Sequence, residues 1–523
     1  MGETQSRPTT KGRRSSTGET NVLIPPPSRL ALTSSSKIIV EIDIAFLVSS
    51  YAAYDLYALS STCKQFQSVT NCVKIFQCIH KSDVKRLRRL LRHTTANMVS
   101  FKDPCNGRNA FHVAATSGHP EILELLLEFY PKLHDLPDKF DLTPLHLASI
   151  RGSKSMVRTL LEKGADPNKA DWNGHTSLHF TTFAESKIIA DELIRHGADV
   201  NTKSKKDGST PAHFVCLRCV QSAPALLSLL EASGANLKEL NCSDQTPLHV
   251  AAFSNNVRAI EFLLENYSDT CVLRDRCGRT PFMYSVASGC VDTSTQILNA
   301  NQGVLNMIDG NGMTALHVAC QRNSRDHVSM LLNRGADVNI ADNLGVTPLH
   351  VACHDHDADE VVIGELIRSG SRLDVCDSHG LTPLHIMCAR GRYDLIRDII
   401  FHVDTKTLSS SSSESTILLP RERARRSFQI LTNCDSKKLF QSADDKGWNV
   451  SHFVSSSNNI ELLGLLIDAG CDVNRKAKDG VTPLHIASTK SVAMVHLLLA
   501  SGSKPKQRAN GGITPVQTLF FPI

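Results

Sequence analysis

The sequence has 523 residues, 41% apolar but only 5% aromatic, and a formal net charge of +5. So mild a surplus over this length gives no support to a dense basic stripe of the kind that grips nucleic acid. No apolar run approaches the roughly 18 residues that a membrane-spanning helix needs; the nearest, 38–48, is broken by Glu41 and Asp43.

Residues 1–36 are rich in Ser, Thr and Pro, and Arg7, Lys11, Arg13, Arg14 and Arg29 outnumber Glu3 and Glu19. Such a segment buries too little apolar surface to offset its ordering entropy, so a disordered basic tail is expected. Being polar and basic, it does not read as a secretory signal. Arg13-Arg14 before Ser15 and Ser16 has the pattern of a basophilic kinase site or a nuclear-import patch; the plainer alternative is a solvated tail.

Residues 37–68 change character. Ile39, Ile42, Ile44, Leu47, Val48, Tyr51, Leu56, Leu59, Cys63 and Phe66 recur at spacings that predict short amphipathic helices. Asp55-Leu56 followed by Cys63 and Phe66 resembles the second half of an F-box. The Leu-Pro that opens that family's motif is replaced by Ile39-Val40, on the side that docks the ligase adaptor. Two readings stand. The segment is either an F-box-like adaptor contact through Leu47, Leu56, Cys63 and Phe66, or a helical cap over the unit that begins at residue 69.

That unit is degenerate, with an Arg- and Lys-rich second helix at 82–91. Then one phrase keeps returning. It reads Thr143-Pro144-Leu145-His146, Thr246-Pro247-Leu248-His249, Thr347-Pro348-Leu349-His350, Thr382-Pro383-Leu384-His385 and Thr482-Pro483-Leu484-His485. The histidine slot falls at 112, 146, 179, 213, 249, 283 (a Met), 317, 350, 385, 452 and 485. The steps are 33 to 36 residues, except one of 67 between His385 and His452. Thr and Pro open a first helix, Pro being accepted in the first turn. A second helix comes next and stops at phrases such as Gly335-Ala336-Asp337-Val338-Asn339. A hairpin such as Asp342-Asn343-Leu344-Gly345 then leads to the next unit. A T-P-L-H-x-A phrase at a period near 33 resembles the ankyrin-repeat family. The resemblance runs from about residue 103 to the end. It implies an all-α solenoid of helix–turn–helix and hairpin units, with protein partners held by hairpin tips and first helices.

The expected order is a tail (1–36), an F-box-like or capping segment (37–68) and repeats (69–404, the first degenerate). A Ser-rich, basic insertion in a degenerate repeat (405–443) and the closing repeats (444–523) complete it. The step of 67 equals two periods, so a hidden unit is expected between His385 and His452. Ser427, after a run of arginines, is a candidate modification site there.

Repeating histidines one layer apart, about 10 Å for packed helices, cannot share an ion whose bonds to His are about 2 Å. They are expected to tie turns together. His213, Cys216 and Cys219 are close in sequence but lack a fourth metal ligand. The acidic run 353–360 lacks the spacing of a calcium loop. No phosphate loop, nucleophile elbow or kinase signature occurs. The chain is therefore expected to be no enzyme, and to need no cofactor or metal. The sixteen cysteines are expected to be reduced, in cytoplasm or nucleus. Recognition remains. Trp172, Arg276, Arg279, Leu344, Leu381 and Trp448 sit in variable hairpin slots and are the candidate partner contacts. Asn201, Asn339 and Asn474 match the ankyrin asparagines that oxygen-dependent hydroxylases modify, as the family resemblance implies.

Overall fold

The computed structural model describes residues 64–103, 106–354, 359–401 and 440–519. The chain divides into two compact units, 1–74 and 75–523. The described part of the first, 64–74, is the opening of helix α1 (Lys64–His80). Leu47, Leu56, Cys63, Ser15, Ser16 and Ser427 lie outside the described residues; Phe66 lies in α1.

In the second unit α1 is followed by α2 (Val84–Leu91) and the single turn α3 (Ala96–Val99). Helix pairs then recur: α4 and α5 (Ala110–Ser117, Pro120–Phe129), α6 and α7 (Pro144–Arg151, Lys154–Glu162), α8 and α9 (Ser177–Phe180, Lys187–Arg195). Next come α10 and α11 (Pro211–Arg218, Ala223–Ala232), α12 and α13 (Pro247–Ser254, Val257–Tyr267), α14 and α15 (Pro281–Ser288, Val291–Ala300). After them stand α16 and α17 (Ala315–Gln321, Arg325–Asn333), α18 and α19 (Pro348–His354, Glu360–Arg368), α20 and α21 (Pro383–Ala389, Tyr393–Phe401). The last pairs are α22 and α23 (Val450–Ser457, Ile460–Asp468) and α24 and α25 (Pro483–Ser488, Val492–Ala500). Among the described residues the only β pairing is one isolated bridge, Ala170 with Thr176.

Local chemistry sets each element. Thr143 is extended (φ −92°, ψ 164°), as an N-cap must be. Its N–H donates to Nδ1 of His146 at 2.9 Å, and its hydroxyl is 2.9 Å from the same nitrogen. His thus takes the place of the Glu or Gln of a usual capping box. Outer helices α7, α9, α11, α17, α19, α23 and α25 close on a glycine. Gly164 (φ 92°) lets the N–H groups of Gly164 and Ala165 turn back onto Leu161 and Leu160 (2.9 and 3.0 Å).

Each inner helix packs on the next inner helix, and the outer helices pack in the same way from α5 to α19 and from α21 to α25. Their shared apolar stripe is aliphatic: Leu145, Leu178, Leu248, Leu316, Leu349, Leu384 and Leu484 are buried on the inner helices. One hydrophobic cluster runs from Ile75 to Leu498. Every unit therefore depends on its neighbours for burial, as in a solenoid.

That continuity crosses the long step. Helix α20 packs directly on α22, and α21 on α23. The Asp445 N–H donates to the His379 carbonyl (2.9 Å), and the His385 and Phe453 rings meet at 5.4 Å. In the stack no unit stands between these two. The step of 67 measures chain length and not layers: residues 402–439 connect α21 to the following hairpin and lie outside the described residues. Replacing 402–439 with a ten-residue Gly/Ser linker is therefore expected to leave the urea-unfolding midpoint unchanged. A shorter loop alters closure entropy by only about 1 kcal/mol. Separate unfolding of the segment after 440 would contradict direct stacking.

Candidate recognition surface

The histidine row is the spine of the stack. The N–H of the capping Thr, or of Asn109 and Asn449 before His112 and His452, donates to Nδ1, so that nitrogen carries a lone pair and the proton sits on Nε2. Nε2–H then donates to a carbonyl of the next unit: His112 to Leu142 (2.8 Å), His213 to Gln245 (3.0 Å), His249 to Arg279 (3.1 Å) and His317 to Val346 (3.0 Å). His179, His350, His452 and His485 do the same with Ser209, Leu381, Val481 and Ile513 (3.1–3.2 Å). Burial disfavours the imidazolium. It holds His112 and His179 down to about 3, and His146, His213, His249, His385 and His452 down to about 4. These side chains are neutral in the fold, and all but His146 and His385 link one unit to the next through Nε2. His213 is committed this way, Cys216 is buried with its thiol pushed well up, and burial pushes Cys219 up to about 12. Among the described residues no cluster of three His, Cys, Asp or Glu could hold a metal ion.

Where Met283 breaks the row, the next residue substitutes. The Tyr284 hydroxyl donates to Asp275 (2.7 Å) and accepts from Gln245 Nε2 (2.9 Å). Burial, then the bond to Asp275, pushes its phenol well up. The sequence reading did not single out Tyr284; its place directly after an empty histidine slot was the available signal.

A second set of ties lies at the surface. Asn201 Nδ2 donates to the Gly234 carbonyl (3.0 Å) and its Oδ1 accepts from Asn236 N–H (2.9 Å). Asn339 joins Gly370 and Arg372 (3.1 and 2.9 Å), and Asn474 joins Gly502 and Lys504 (3.0 and 2.9 Å). Asn168 makes the same pair of bonds to Gly197 and Asp199 (both 2.8 Å). It too was missed, because Pro167 replaces the Val of the Asp-Val-Asn phrase.

The hairpin tips are joined by one backbone bond per unit. Trp172 N–H donates to Phe140 O (3.2 Å), Arg276 to Ser243 (2.9 Å), Asn343 to Asn311 (2.9 Å) and Ser378 to Leu344 (2.7 Å). On this ladder Trp172 is 61% exposed and its ring meets Phe140 edge-on at 5.9 Å. Phe140, another omission, is also exposed, as is Leu344. Arg276 is exposed and lies 3.6 Å from Asp244. The other three candidates turn inward. Arg279 is largely covered and lies 3.7 Å from buried Asp309. Leu381 is half-buried, and its carbonyl receives His350. Trp448 stacks on His452 (5.8 Å) and packs beside Ala477, Val481 and Ala509. The structure thus brings Trp172, Phe140, Arg276 and Leu344 onto one ladder of exposed tips, and puts Arg279, Leu381 and Trp448 into contacts between units.

No described helix is long and apolar enough to cross a membrane. A family model for ankyrin repeats in three copies matches residues 130–204, 178–273, 268–342 and 424–509. Models for many copies and for a single repeat match 331–386 and 106–135. The chain is similar to an ankyrin repeat protein of fowlpox virus, 29% identical over 196 residues, 37% of this chain and 26% of that protein. It is similar to human transient receptor potential cation channel subfamily A member 1, 28% identical over 231 residues, 43% of this chain and 20% of the channel. It is also similar to the ankyrin repeat protein nuc-2 of Neurospora crassa, 29% identical over 212 residues, 40% of this chain and 19% of that one. The matched segments thus span only about a fifth to a quarter of these curated relatives. With the periodic helix pairs, the histidine-tied turns and family matches over more than half of its length, the chain belongs to the ankyrin-repeat family.

Proposed function

We propose that the protein is a non-enzymatic recognition scaffold of cytoplasm or nucleus. It holds protein partners on its hairpin tips and inner helices. The supporting observation is the contrast along one ladder. The frame is fixed by repeated bonds, while exposed Trp172, Phe140, Leu344 and Arg276 vary from tip to tip. An exposed aromatic pair on a rigid backbone is the kind of anchor that dominates protein interfaces. Trp172→Ala is expected to weaken a complex captured by the full chain at least tenfold, about 1.4 kcal/mol. Its thermal melting should stay where it was. The readout is titration calorimetry with the captured partner; affinity unchanged by Trp172→Ala, Leu344→Ala and Arg276→Ala alike would sink the tip assignment.

A second reading rests on the Asp55-Leu56 to Phe66 phrase. Here the N-terminal segment docks a ubiquitin-ligase adaptor, and the repeats present the target. Capture of adaptor and cullin by the full chain, but not by one lacking 37–68, supports it; their absence from both removes it. Asn201, Asn339 and Asn474 are proposed hydroxylation substrates. Each is held by bonds to the next unit, so a hydroxylase must first open the stack locally.

A further inference from the structure

The eleven helix pairs among the described residues supply their own comparison. Four residues after the histidine slot, on or just beyond each inner helix, stand Thr116, Ile150, Phe183, Leu217, Phe253, Ala287, Gln321, His354, Ala389, Ser456 and Thr489. Polar or small side chains satisfy the fold at most of these places. Four consecutive units instead place Ile150, Phe183, Leu217 and Phe253 there, each half-buried and leaving part of its surface in solvent. Phe183 meets Phe180 (ring centres 5.9 Å apart) and Phe253 meets Tyr284 of the next unit edge-on (6.1 Å), and all four side chains still reach solvent. A contiguous apolar strip at an otherwise polar register marks an interaction surface.

The residue just after the strip position carries the charge. Arg151 and Arg218 stand directly after Ile150 and Leu217. The Arg218 guanidinium lies 4.0 Å from the centre of the Phe183 ring, and its buried Nε has no hydrogen-bond partner. Burial holds it below its ordinary range. Neither arginine forms an ion pair among the described residues. The nearby carboxylate of Glu185 is already engaged, accepting from the N–H groups of Val220, Gln221 and Ser222 (3.3–3.4 Å). An arginine stacked on an aromatic ring, partly desolvated and without an acid, is poised for a carboxylate from outside.

We infer that the strip Ile150–Phe183–Leu217–Phe253, with Arg151 and Arg218 beside it, binds a protein segment bearing apolar anchors and at least one carboxylate. The inference rests on the recognition reading above and names the partner's chemistry. Four layers at about 8–10 Å per step span roughly 24–30 Å. That matches about eight residues of extended chain at about 3.3 Å each, or about eighteen of helix at 1.5 Å.

The test is a phage-displayed library of random 16-residue peptides selected on the full chain. Selected peptides are then synthesised and titrated against variants. Phe183→Thr and Phe253→Gln use side chains that this fold already carries at the same register in other units, so folding is preserved; circular dichroism melting checks it. The expected peptides combine Leu, Phe or Trp with Asp or Glu. They should bind Phe183→Thr and Phe253→Gln at least tenfold more weakly. Arg218→Gln should weaken them too, but leave unchanged their counterparts with Asn and Gln in place of the acids. Peptides that are indifferent to these three changes and lost with Trp172→Ala or Leu344→Ala would overturn the strip and leave tip recognition standing. Enrichment of no peptide over bare support would overturn both.

Discussion

The folded stack is expected to lose stability steeply as pH falls from 6.5 towards 5. Seven histidines of the inner row are neutral in the fold, held down to about 3 or 4 chiefly by burial. In the unfolded chain each titrates near 6.5. Between those values the unfolded state binds more protons, so acid favours unfolding. The stability these groups contribute is complete above pH 6.5, is lost as pH falls through the window, and changes no further below about 3. A fully linked histidine contributes about 1.4 kcal/mol per pH unit. By pH 5 seven such groups together withdraw about 14 kcal/mol, a large share of what a stack of this length holds at roughly 0.05–0.15 kcal/mol per residue. The physical cause is specific. Protonating Nδ1 puts a second hydrogen where the Thr N–H already donates. Urea titrations at pH 7.5, 6.5 and 5.5 read the effect. His249→Gln should reduce the slope by about one proton. A midpoint that is flat over this range would mean that the row is not neutral and buried as described.

Gly278→Ala should cost about 3 kcal/mol or more, against about 1 kcal/mol for Gly289→Ala. Both glycines have positive φ, 75° and 89°, where a Cβ is strained by about 1–2 kcal/mol. They differ in what the new carbon meets. At Gly289 there is nothing within 4 Å, whereas at Gly278 it would lie 2.5 Å from the Gly310 nitrogen and 3.0 Å from the Asp309 carbonyl carbon. That backbone cannot yield cheaply, because Gly310 N–H is the rung that donates to Cys277 O (2.8 Å). The added cost is therefore the cost of parting two hairpins. Urea unfolding of the two variants measures the difference. Equal losses would show that the tips are not in contact.

The same hairpins show what was legible in the sequence. Asp-x-x-Gly and T-P-L-H give turn, cap and helix start by local chemistry alone, as at Thr143, Thr382 and Thr482. The tip residues were harder, because residue type was weighed and register was not. Trp172 and Arg276 stand directly after the turn Asp and Leu344 one place later, where the backbone projects outward. Arg279, Leu381 and Trp448 stand just before the cap, where the side chain turns to its neighbours, and at Arg279 and Leu381 the carbonyl in that slot meets the preceding unit's histidine. Trp172 and Trp448 are therefore alike in chemistry and opposite in placement. Phe140 was missed because its turn lacks the closing Gly; Asp141 takes the positive φ (59°) instead. The hidden unit was inferred from length, which cannot tell a layer from a connection. Ile150, Phe183, Leu217 and Phe253 read as ordinary core in any single repeat, and only alignment of all units exposes them.

Hydrogen–deuterium exchange on the full chain, free and saturated with a partner that it captures, tests the recognition claim most directly. Protection is expected at the tips around 138–141, 171–174 and 342–345 and along the inner helices that carry the strip, with the outer helices unchanged. Protection confined to the outer helices, or to residues before 64, would contradict a scaffold that reads its partners with tips and inner face.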